Sequence, residues 1–277
     1  MQEFTGRTAV ITGGASGIGL ATAERLGRAG MNLVLGDIEE RVLDEQVDRL
    51  RGDGHAVIGV TTDVADFDAV TALAEAAVER FGPVHVLFNN AGVGGGGPML
   101  DTELDVWNWT LGVNLFGVVH GIKAFGPGML AHGEPCAIVS TASMAGLLPT
   151  PMLGSYTVSK YAVVAMSETL SLETQGSAMQ VHVLCPGFVA TNIADSDRNK
   201  PEHLAEPLAM GEDNDLMRAA MRELVASGIP PAEVAERIFE ALQSGRFTIL
   251  PHPEFAEQIL ERSRRLVDGD PPTSWEP

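Results

Sequence analysis

Short apolar runs alternate with amphipathic stretches along most of the chain. The runs are almost continuously apolar and rich in Val, Ile and Leu, which is typical of strands buried on both faces of a parallel sheet. The pattern predicts strands over 7–12, 31–36, 55–60, 84–88, 137–140, 180–184 and 247–250. It predicts helices after the first strand up to Gly30 and over about 39–51, 66–81, 104–130, 156–172 and 254–266. We therefore expect an α/β fold, a doubly wound parallel sheet of Rossmann type with helices on both faces, in one domain over 1–277.

A glycine-rich turn, Thr12-Gly-Gly-Ala-Ser-Gly-Ile-Gly19, connects the first predicted strand to the first predicted helix. In this context glycines let the backbone approach a pyrophosphate, and the helix N-terminus supplies N–H donors. The second strand ends at Asp37, whose carboxylate can accept hydrogen bonds from an adenosine ribose and would repel a 2′-phosphate. Since neither Ser16 nor Ile38 offers a basic partner for such a phosphate, the sequence favours NAD over NADP.

Polar or turn residues follow four later strands. Asp63, Asn90, Ser143 and Pro186 each come after a predicted strand end. Because the carboxyl ends of parallel strands meet at one edge of the sheet, we expect these residues and the glycine turn to form one ligand site. Asp63 could hydrogen-bond an adenine amino group, or it could be the N-terminal cap of the following helix.

Tyr156 and Lys160 lie four residues apart at the start of a predicted helix, so that the phenol and the ammonium share one face. The chain has only two tyrosines and three lysines. An adjacent cation lowers the pKa of a tyrosine from its usual value of about 10, and a hydroxyl such as that of Ser143 could hold a carbonyl oxygen against the phenol. This arrangement indicates proton transfer on an alcohol/carbonyl pair. The alternative is an exposed helix pair contributing ~0.2–0.5 kcal/mol.

Three stretches depart from the regular pattern. Asn114 lies among apolar residues of a predicted helix, which predicts a local distortion or a buried polar role. The run Gly94–Gly97 predicts a flexible loop. Residues 192–228 contain no strand pattern, and a long segment of this kind is usually functional or disordered. Its apolar residues could cover a substrate or pack on the domain: Met210, Leu216, Met217 and Met221.

The composition of the chain limits the classes of binding partner that we expect. The formal net charge of −19 argues against nucleic acids and anionic membrane surfaces. No apolar run approaches the ~20 residues of a membrane span. No signal peptide opens the sequence, and the two cysteines form no disulfide framework, so we expect a cytoplasmic protein. We expect no metal site, because the Asp195-x-Asp197-x-Asn199 spacing lacks the glycine of a calcium loop.

Taken together, these motifs resemble the short-chain dehydrogenase/reductase family, in its branch of single-domain enzymes of about 250 residues. The resemblance covers about 5–191 and, less closely, 230–250. It implies catalytic roles for Asn114, Ser143, Tyr156 and Lys160. It implies cofactor contacts from a larger set of motif positions, two of which are also catalytic: Gly13, Ser16, Gly17, Ile18, Gly19, Asp37, Asp63, Val64, Asn90, Ala91, Gly92, Tyr156, Lys160, Pro186, Gly187, Val189 and Thr191.

By the same resemblance, Tyr156 is the general acid or base and Ser143 holds the substrate oxygen, with Ser140 as a competitor whose spacing fits less well. Lys160 binds the nicotinamide ribose, and Asn114 holds a water in a proton path. Family members are usually tetramers or dimers, with the Asn114 and Tyr156 helices at the main interface. His182 replaces an arginine common in the family, which we interpret as a change on the strand surface.

The expected reaction is NAD-dependent interconversion of a secondary alcohol and a ketone. The family resemblance also implies that residues 192–228 form the substrate lid. This lid and the tail, 251–277, resemble enzymes that oxidise benzylic alcohols of lignin-derived aromatics, which implies a bulky aryl substrate. One alternative is an acyl-thioester ketoreductase, which would favour NADPH and a basic docking patch. The other is a non-catalytic dinucleotide-binding protein, in which the Tyr, Lys and Ser set should be broken.

Overall fold

The computed structural model describes residues 1–201, 204 and 212–273, with side chains of 212–218 outside that description. In this part of the chain, parallel strands form one seven-stranded sheet in the order β3-β2-β1-β4-β5-β6-β7. The strands are β1 (Thr8–Thr12), β2 (Asn32–Asp37), β3 (Val57–Thr61), β4 (Val84–Asn89), β5 (Cys136–Thr141), β6 (Met179–Leu184) and β7 (Thr248–Ile249). The strand order reverses between β1 and β4, which confirms the predicted doubly wound sheet and places its switch point there.

Helices cover both faces of the sheet. They are α1 (Gly17–Arg28), α2 (Glu40–Gly52), α3 (Phe67–Phe81), α4 (Leu104–Leu111), α5 (Gly117–Ala131), α6 (Gly154–Glu173), α7 (Glu212–Ala226), α8 (Pro231–Ser244) and α9 (Ala256–Asp268). Shorter 3₁₀ segments span Met144–Gly146, Ile193–Asn199 and Pro253–Phe255. Within the described residues, no helix is long and apolar enough to cross a membrane.

Consecutive strand residues pack into different cores because side chains alternate across a sheet. In β1, Ala9 and Ile11 join the cluster that contains Leu26 of α1 and Ile238 of α8. Val10, between them, joins the opposite cluster with α3 and α5 residues. Both faces of the central strands are therefore buried, which explains why the sequence of these strands is continuously apolar.

The predicted helix 104–130 is not one continuous helix. A π-helical segment, Gly112–Phe116, separates α4 from α5 and contains Asn114. The distortion expected from this asparagine is therefore confirmed, and such π segments frequently occur at functional sites. The C-terminal helix also differs from its prediction, because it begins as a 3₁₀ turn at Pro253 and becomes α-helical at Ala256.

The interpretation of His182 as a strand-surface residue is wrong. Its side chain is 0% exposed, and its Nδ1–H donates to the Arg246 carbonyl at 2.7 Å. The Nε2 atom is buried without a hydrogen-bond partner in the described structure. Burial lowers the pKa of His182 from its ordinary value, because the interior disfavours the charged imidazolium.

Part of the predicted lid lies outside the described residues, including Met210 and all of 205–211. The side chains of Leu216 and Met217 also lie outside the description, whereas Met221 lies within it. The expectation that these residues form one apolar cover therefore stays a prediction. The 3₁₀ segment Ile193–Asn199, by contrast, is fully described, and we call it the lid segment below.

Candidate active site

A cavity of about 950 Å³ opens at the carboxyl ends of the strands. Its walls come from the loops after β1 to β6, from α4, from the start of α6 and from the lid segment. Every predicted catalytic or cofactor residue lines this cavity except Gly19 and Asn114, which lie behind its wall. Strand topology therefore brings together residues spread over most of the chain, as the convergence of strand ends predicted.

The glycine turn at the cavity floor requires glycine for two different reasons. Gly17 has φ +52°, in the left-handed region that favours glycine. Gly19 has no room for a side chain, because a Cβ there would lie 2.1 Å from the Gly13 carbonyl oxygen. Ser16 precedes α1 without a side-chain capping bond. The first-turn residues Gly17 and Ile18 line the cavity, so the helix N-terminus is positioned to receive an anion.

Asp37 is fixed against the glycine turn. Its Oδ2 accepts a hydrogen bond from the Ala15 N–H at 3.0 Å, and its Oδ1 accepts from the Glu39 N–H at 3.1 Å. The next two residues in the chain, Ile38 and Glu39, also line the cavity. The geometry thus holds one carboxylate at the β2 end of the site.

The alternative role of Asp63 as a helix cap is wrong. The N-cap of α3 is Asp66, whose side chain accepts from the Asp68 N–H. Asp63 instead accepts from the Ala65 N–H at 2.9 Å within its own turn. It lines the cavity beside Val64.

Thr12 and Asn90 join the loops on the two sides of the switch point. The Thr12 hydroxyl accepts from the N–H groups of Asn90 at 3.0 Å and Ala91 at 3.1 Å. The Asn90 amide donates to the carbonyls of Thr12 at 3.1 Å and Gly13 at 3.3 Å. Its oxygen accepts from the Thr141 hydroxyl at 3.3 Å, which adds β5 to the network. Asn90 is therefore held rigidly by three strands.

Tyr156, Ser143 and Lys160 line the cavity together at the β5 end. The Ser143 hydroxyl lies close enough to the Tyr156 phenol to lower the pKa of that phenol, and it donates to the Pro186 carbonyl at 3.4 Å. Lys160 is 4% exposed, and its Nζ donates to the Thr141 carbonyl at 3.0 Å. The competing residue Ser140 is buried and does not line the cavity. The two hydroxyls and the ammonium therefore share one polar corner, as the helical spacing predicted.

The direction of the Tyr156 pKa shift differs from the sequence prediction. Burial raises the pKa of the phenol, and the nearby Ser143 hydroxyl opposes that shift. Burial also lowers the pKa of Lys160 to about 8. A buried site disfavours the charged forms of both Tyr156 and Lys160. The Lys160 ammonium therefore lowers the pKa of Tyr156 less than the four-residue spacing of the two side chains suggested. Lys160 Nζ lies 5.4 Å from the Tyr156 ring centroid.

Asn114 is 1% exposed, and its side-chain amide pairs with the backbone of Val93. Its Oδ1 accepts from the Val93 N–H at 2.8 Å, and its Nδ2 donates to the Val93 carbonyl at 2.9 Å. The same Nδ2 contacts the Ser159 hydroxyl at 3.3 Å. The buried polar role is therefore a support for the loop after β4, next to Lys160 in the fold.

The run Gly94–Gly97 is held in place, contrary to the flexible loop expected. The Gly94 N–H donates to Ser196 of the lid segment at 2.9 Å, and the Gly97 N–H donates to the Met152 carbonyl at 2.7 Å. A Cβ at Gly96 would lie 2.7 Å from that same carbonyl. The glycines are thus required by close backbone packing as well as by conformational freedom.

Sequence reasoning missed several residues of the cavity. Arg198 and Asn199 of the lid segment reach Glu39, which lies 159 and 160 residues earlier. Lys200 pairs with Asp197 at 2.7 Å, and its Nζ lies 5.6 Å from the Trp109 ring. Much of the remaining lining that was missed is apolar: Trp109, Leu153, Phe188 and Val225. No local motif marks these positions, because they meet only in the folded chain.

Comparisons with known proteins identify relatives over most of the chain. A family model described as short chain dehydrogenase matches residues 7–202. The chain is similar to the CLA biosynthesis dehydrogenase/reductase of Lactiplantibacillus plantarum, with 32% identity covering 98% of this chain and 97% of the relative. It is similar to the C alpha-dehydrogenase of a Sphingobium species, with 30% identity covering 100% of this chain and 90% of the relative.

Among solved structures, the chain is similar to a short chain dehydrogenase/reductase from Burkholderia phymatum in complex with NAD. The TM-score is 0.96, the sequence identity is 43%, and the match covers 100% of both chains. The described fold therefore occurs in a protein whose structure was solved in complex with NAD.

Proposed function

Because the chain belongs to the short-chain dehydrogenase/reductase family of oxidoreductases, we propose that it is an NAD-dependent dehydrogenase that interconverts a secondary alcohol and a ketone. The observation that carries the proposal is the polar corner of Tyr156, Ser143 and Lys160 inside the switch-point cavity. A protein that only bound a dinucleotide would not need two hydroxyls beside a buried ammonium at one end of its cavity.

The residues present fit a nicotinamide dinucleotide. The N-terminus of α1 lacks a side-chain cap and borders the cavity, which suits the pyrophosphate. Lys160 is an almost fully buried ammonium that donates to one backbone carbonyl, so it has donors left for ribose hydroxyls. Other predicted cofactor residues, Asn90, Pro186, Gly187, Val189 and Thr191 among them, surround the same space.

The preference for NAD rests on Asp37. Its carboxylate is held toward the cavity by the N–H groups of Ala15 and Glu39. A carboxylate in this place accepts hydrogen bonds from a ribose diol and repels a 2′-phosphate. The cation that the fold brings nearby, Arg198, is already paired with Glu39 at 2.6 Å, so that the pair offers no net positive charge to a phosphate.

When bound, the nicotinamide supplies the acceptor or donor of the electron pair. The chain supplies the proton and the positioning. Ser143 and Tyr156 hold the substrate oxygen, and the phenol donates its proton in reduction or accepts one in oxidation. Since burial raises the pKa of Tyr156, the phenol is protonated at neutral pH and is ready for reduction. Oxidation needs the phenolate, so its rate is expected to increase with pH.

The substrate that fits best is a bulky, mainly apolar alcohol, with an aryl group as the first choice. Trp109, Leu153 and Phe188 line the cavity beside the polar corner, and Met221 and Val225 of α7 complete the apolar wall. Aromatic and methionine side chains adapt well to flat hydrophobic ligands.

A dimer or tetramer in the cytoplasm remains a prediction. Phe116, which is 51% exposed, is a candidate contact between subunits.

A substrate panel tests the proposal. Aryl, steroid and aliphatic secondary alcohols would be assayed with NAD and with NADP by the absorbance of the reduced cofactor. Turnover of an alcohol with NAD is expected, and Tyr156→Phe should abolish it while NADH binding persists. Tyr161→Phe is the matched control, because Tyr161 lies outside the cavity under Arg262. Full activity of Tyr156→Phe would refute the assignment, and turnover confined to acyl thioesters with NADPH would favour the ketoreductase.

A further inference from the structure

The lid segment reaches across the cavity to the loop after β2. One oxygen of Glu39 accepts hydrogen bonds from Arg198 Nη2 at 2.6 Å, from Arg198 Nε at 3.0 Å and from Asn199 Nδ2 at 3.1 Å. Glu39 follows Asp37 by two residues, and its own N–H donates to the Asp37 carboxylate. The lid segment is therefore attached to the loop that carries the proposed ribose ligand.

The lid side of this contact is rigid as well. Arg198 Nη1 donates to the carbonyls of Asn192 at 3.1 Å and Asp195 at 3.0 Å, so that the guanidinium is fixed within its own segment. Ser196 accepts from the Gly94 N–H at 2.9 Å on the other side of the cavity. The segment thus bridges the loops after β2 and β4, and both loops border the site.

The ion pair is only partly accessible to solvent. The side chains of Arg198 and Glu39 are 37% and 27% exposed. A partly buried pair is screened by salt less than a surface pair, and charge-assisted bonds from both Nε and Nη2 are stronger than a single contact. In contrast, the Arg237–Glu240 pair of α8 is exposed, spans 3.4 Å and lies outside the cavity wall.

We propose that Glu39 and Arg198 are positioning residues for the cofactor: their ion pair holds the lid segment over the adenosine end of the cavity and sets the rate at which a dinucleotide enters and leaves. This inference rests on the proposed function, which places the adenosine ribose at Asp37. Since the two side chains bind one another, the pair acts by closing the cavity. Opening such a gate increases both the rate at which the dinucleotide enters and the rate at which it leaves. The Kd, which is the ratio of these two rates, therefore changes less than either rate.

Stopped-flow fluorescence of NADH measures both rates on the full chain. Arg198→Met and Glu39→Gln are expected to increase koff and kon about 3- to 10-fold each, with a Kd change below about 3-fold. Arg237→Met, which removes the same charge from α8, should change neither rate. The wild-type rates should increase with ionic strength more steeply than those of Arg198→Met, because only the wild type has a pair to screen.

A charge swap separates gating from folding of the lid. Glu39→Arg combined with Arg198→Glu is expected to return both rates toward those of the wild type, whereas a disordered lid would not recover. Rates in Arg198→Met equal to those of the wild type would overturn the inference while NADH binding still supports the proposed function. An increase in koff and Kd with kon unchanged would also overturn it, because Arg198 would then be a direct ligand. A wild-type chain that binds no NADH would overturn both proposals.

Discussion

Asn114 holds Val93 by a pair of hydrogen bonds, from the Val93 N–H to Oδ1 at 2.8 Å and from Nδ2 to the Val93 carbonyl at 2.9 Å. Both residues are buried, at 1% and 6% exposed. The π-helical segment around Asn114 therefore uses a side-chain amide to satisfy a backbone that belongs to no strand. This contact fixes the loop after β4 next to Lys160.

Removing the Asn114 amide should destabilise the protein. Asn114→Ala leaves the N–H and the carbonyl of Val93 without their partner, which costs roughly 2–4 kcal/mol of unfolding free energy. Urea denaturation measures this loss. Asn108→Ala is the matched control, because Asn108 lies exposed on α4 and its loss should cost less than about 0.5 kcal/mol. Equal stabilities of the two variants would show that the paired hydrogen bonds contribute nothing.

Asp37→Ser should change the cofactor preference. The substitution removes the carboxylate that faces the ribose, so that NADH loses charge-assisted hydrogen bonds and a 2′-phosphate loses a repelling charge. The ratio of kcat/KM for NADPH to that for NADH is expected to increase about 10- to 100-fold. Asp48→Ser, at a position 79% exposed on α2, should leave the ratio unchanged. An unaltered ratio in Asp37→Ser would place cofactor discrimination elsewhere.

Substitution by alanine at two glycines of α5 should change the stability of the protein in opposite directions. A Cβ at Gly121 would lie 2.0 Å from Asn89 Oδ1, whereas a Cβ at Gly128 meets nothing within 4 Å. Gly121→Ala forces the buried Asn89 amide to move and should cost about 1–3 kcal/mol. Gly128→Ala should stabilise the protein by about 0.5–1 kcal/mol, because alanine loses less backbone entropy in a helix. Thermal unfolding of both variants checks the prediction, and destabilisation by Gly128→Ala would contradict it.

Acid should destabilise the protein through His182. Its pKa in the folded state is below the ordinary value of 6.5, so the unfolded chain binds a proton first as the pH falls. The stability contribution is complete above pH 6.5 and is lost as the pH falls toward the folded pKa. The slope is at most about 1.4 kcal/mol per pH unit.

Unfolding free energies measured by urea between about pH 7 and 5 reveal this slope. In His182→Asn the decrease with falling pH should be shallower, whatever the stability of the variant at neutral pH. The comparison of slopes separates proton binding from the lost hydrogen bond to Arg246. Parallel pH profiles for the wild type and the variant would show that His182 is protonated equally in both states.

Local chemistry could be predicted well from the sequence. Continuous apolar runs place the strands, and the glycine turn and the Tyr156–Lys160 spacing depend on consecutive residues or on one helix turn. The edge at which Asp37, Asn90 and Ser143 meet also follows, because parallel strands align their carboxyl ends. The fold and the part of the cavity that the motifs supply were therefore predictable.

Contacts between distant segments and the degree of burial were decided only by the tertiary structure. Arg198 meets Glu39 across 159 residues, and no spacing rule connects them. Asp66, not Asp63, caps α3 because the chain turns once more before the helix begins. The pKa of Tyr156 is raised, although its neighbour is a lysine. Sequence identifies the charges, whereas packing sets the surrounding dielectric and thereby which ionised form the site favours.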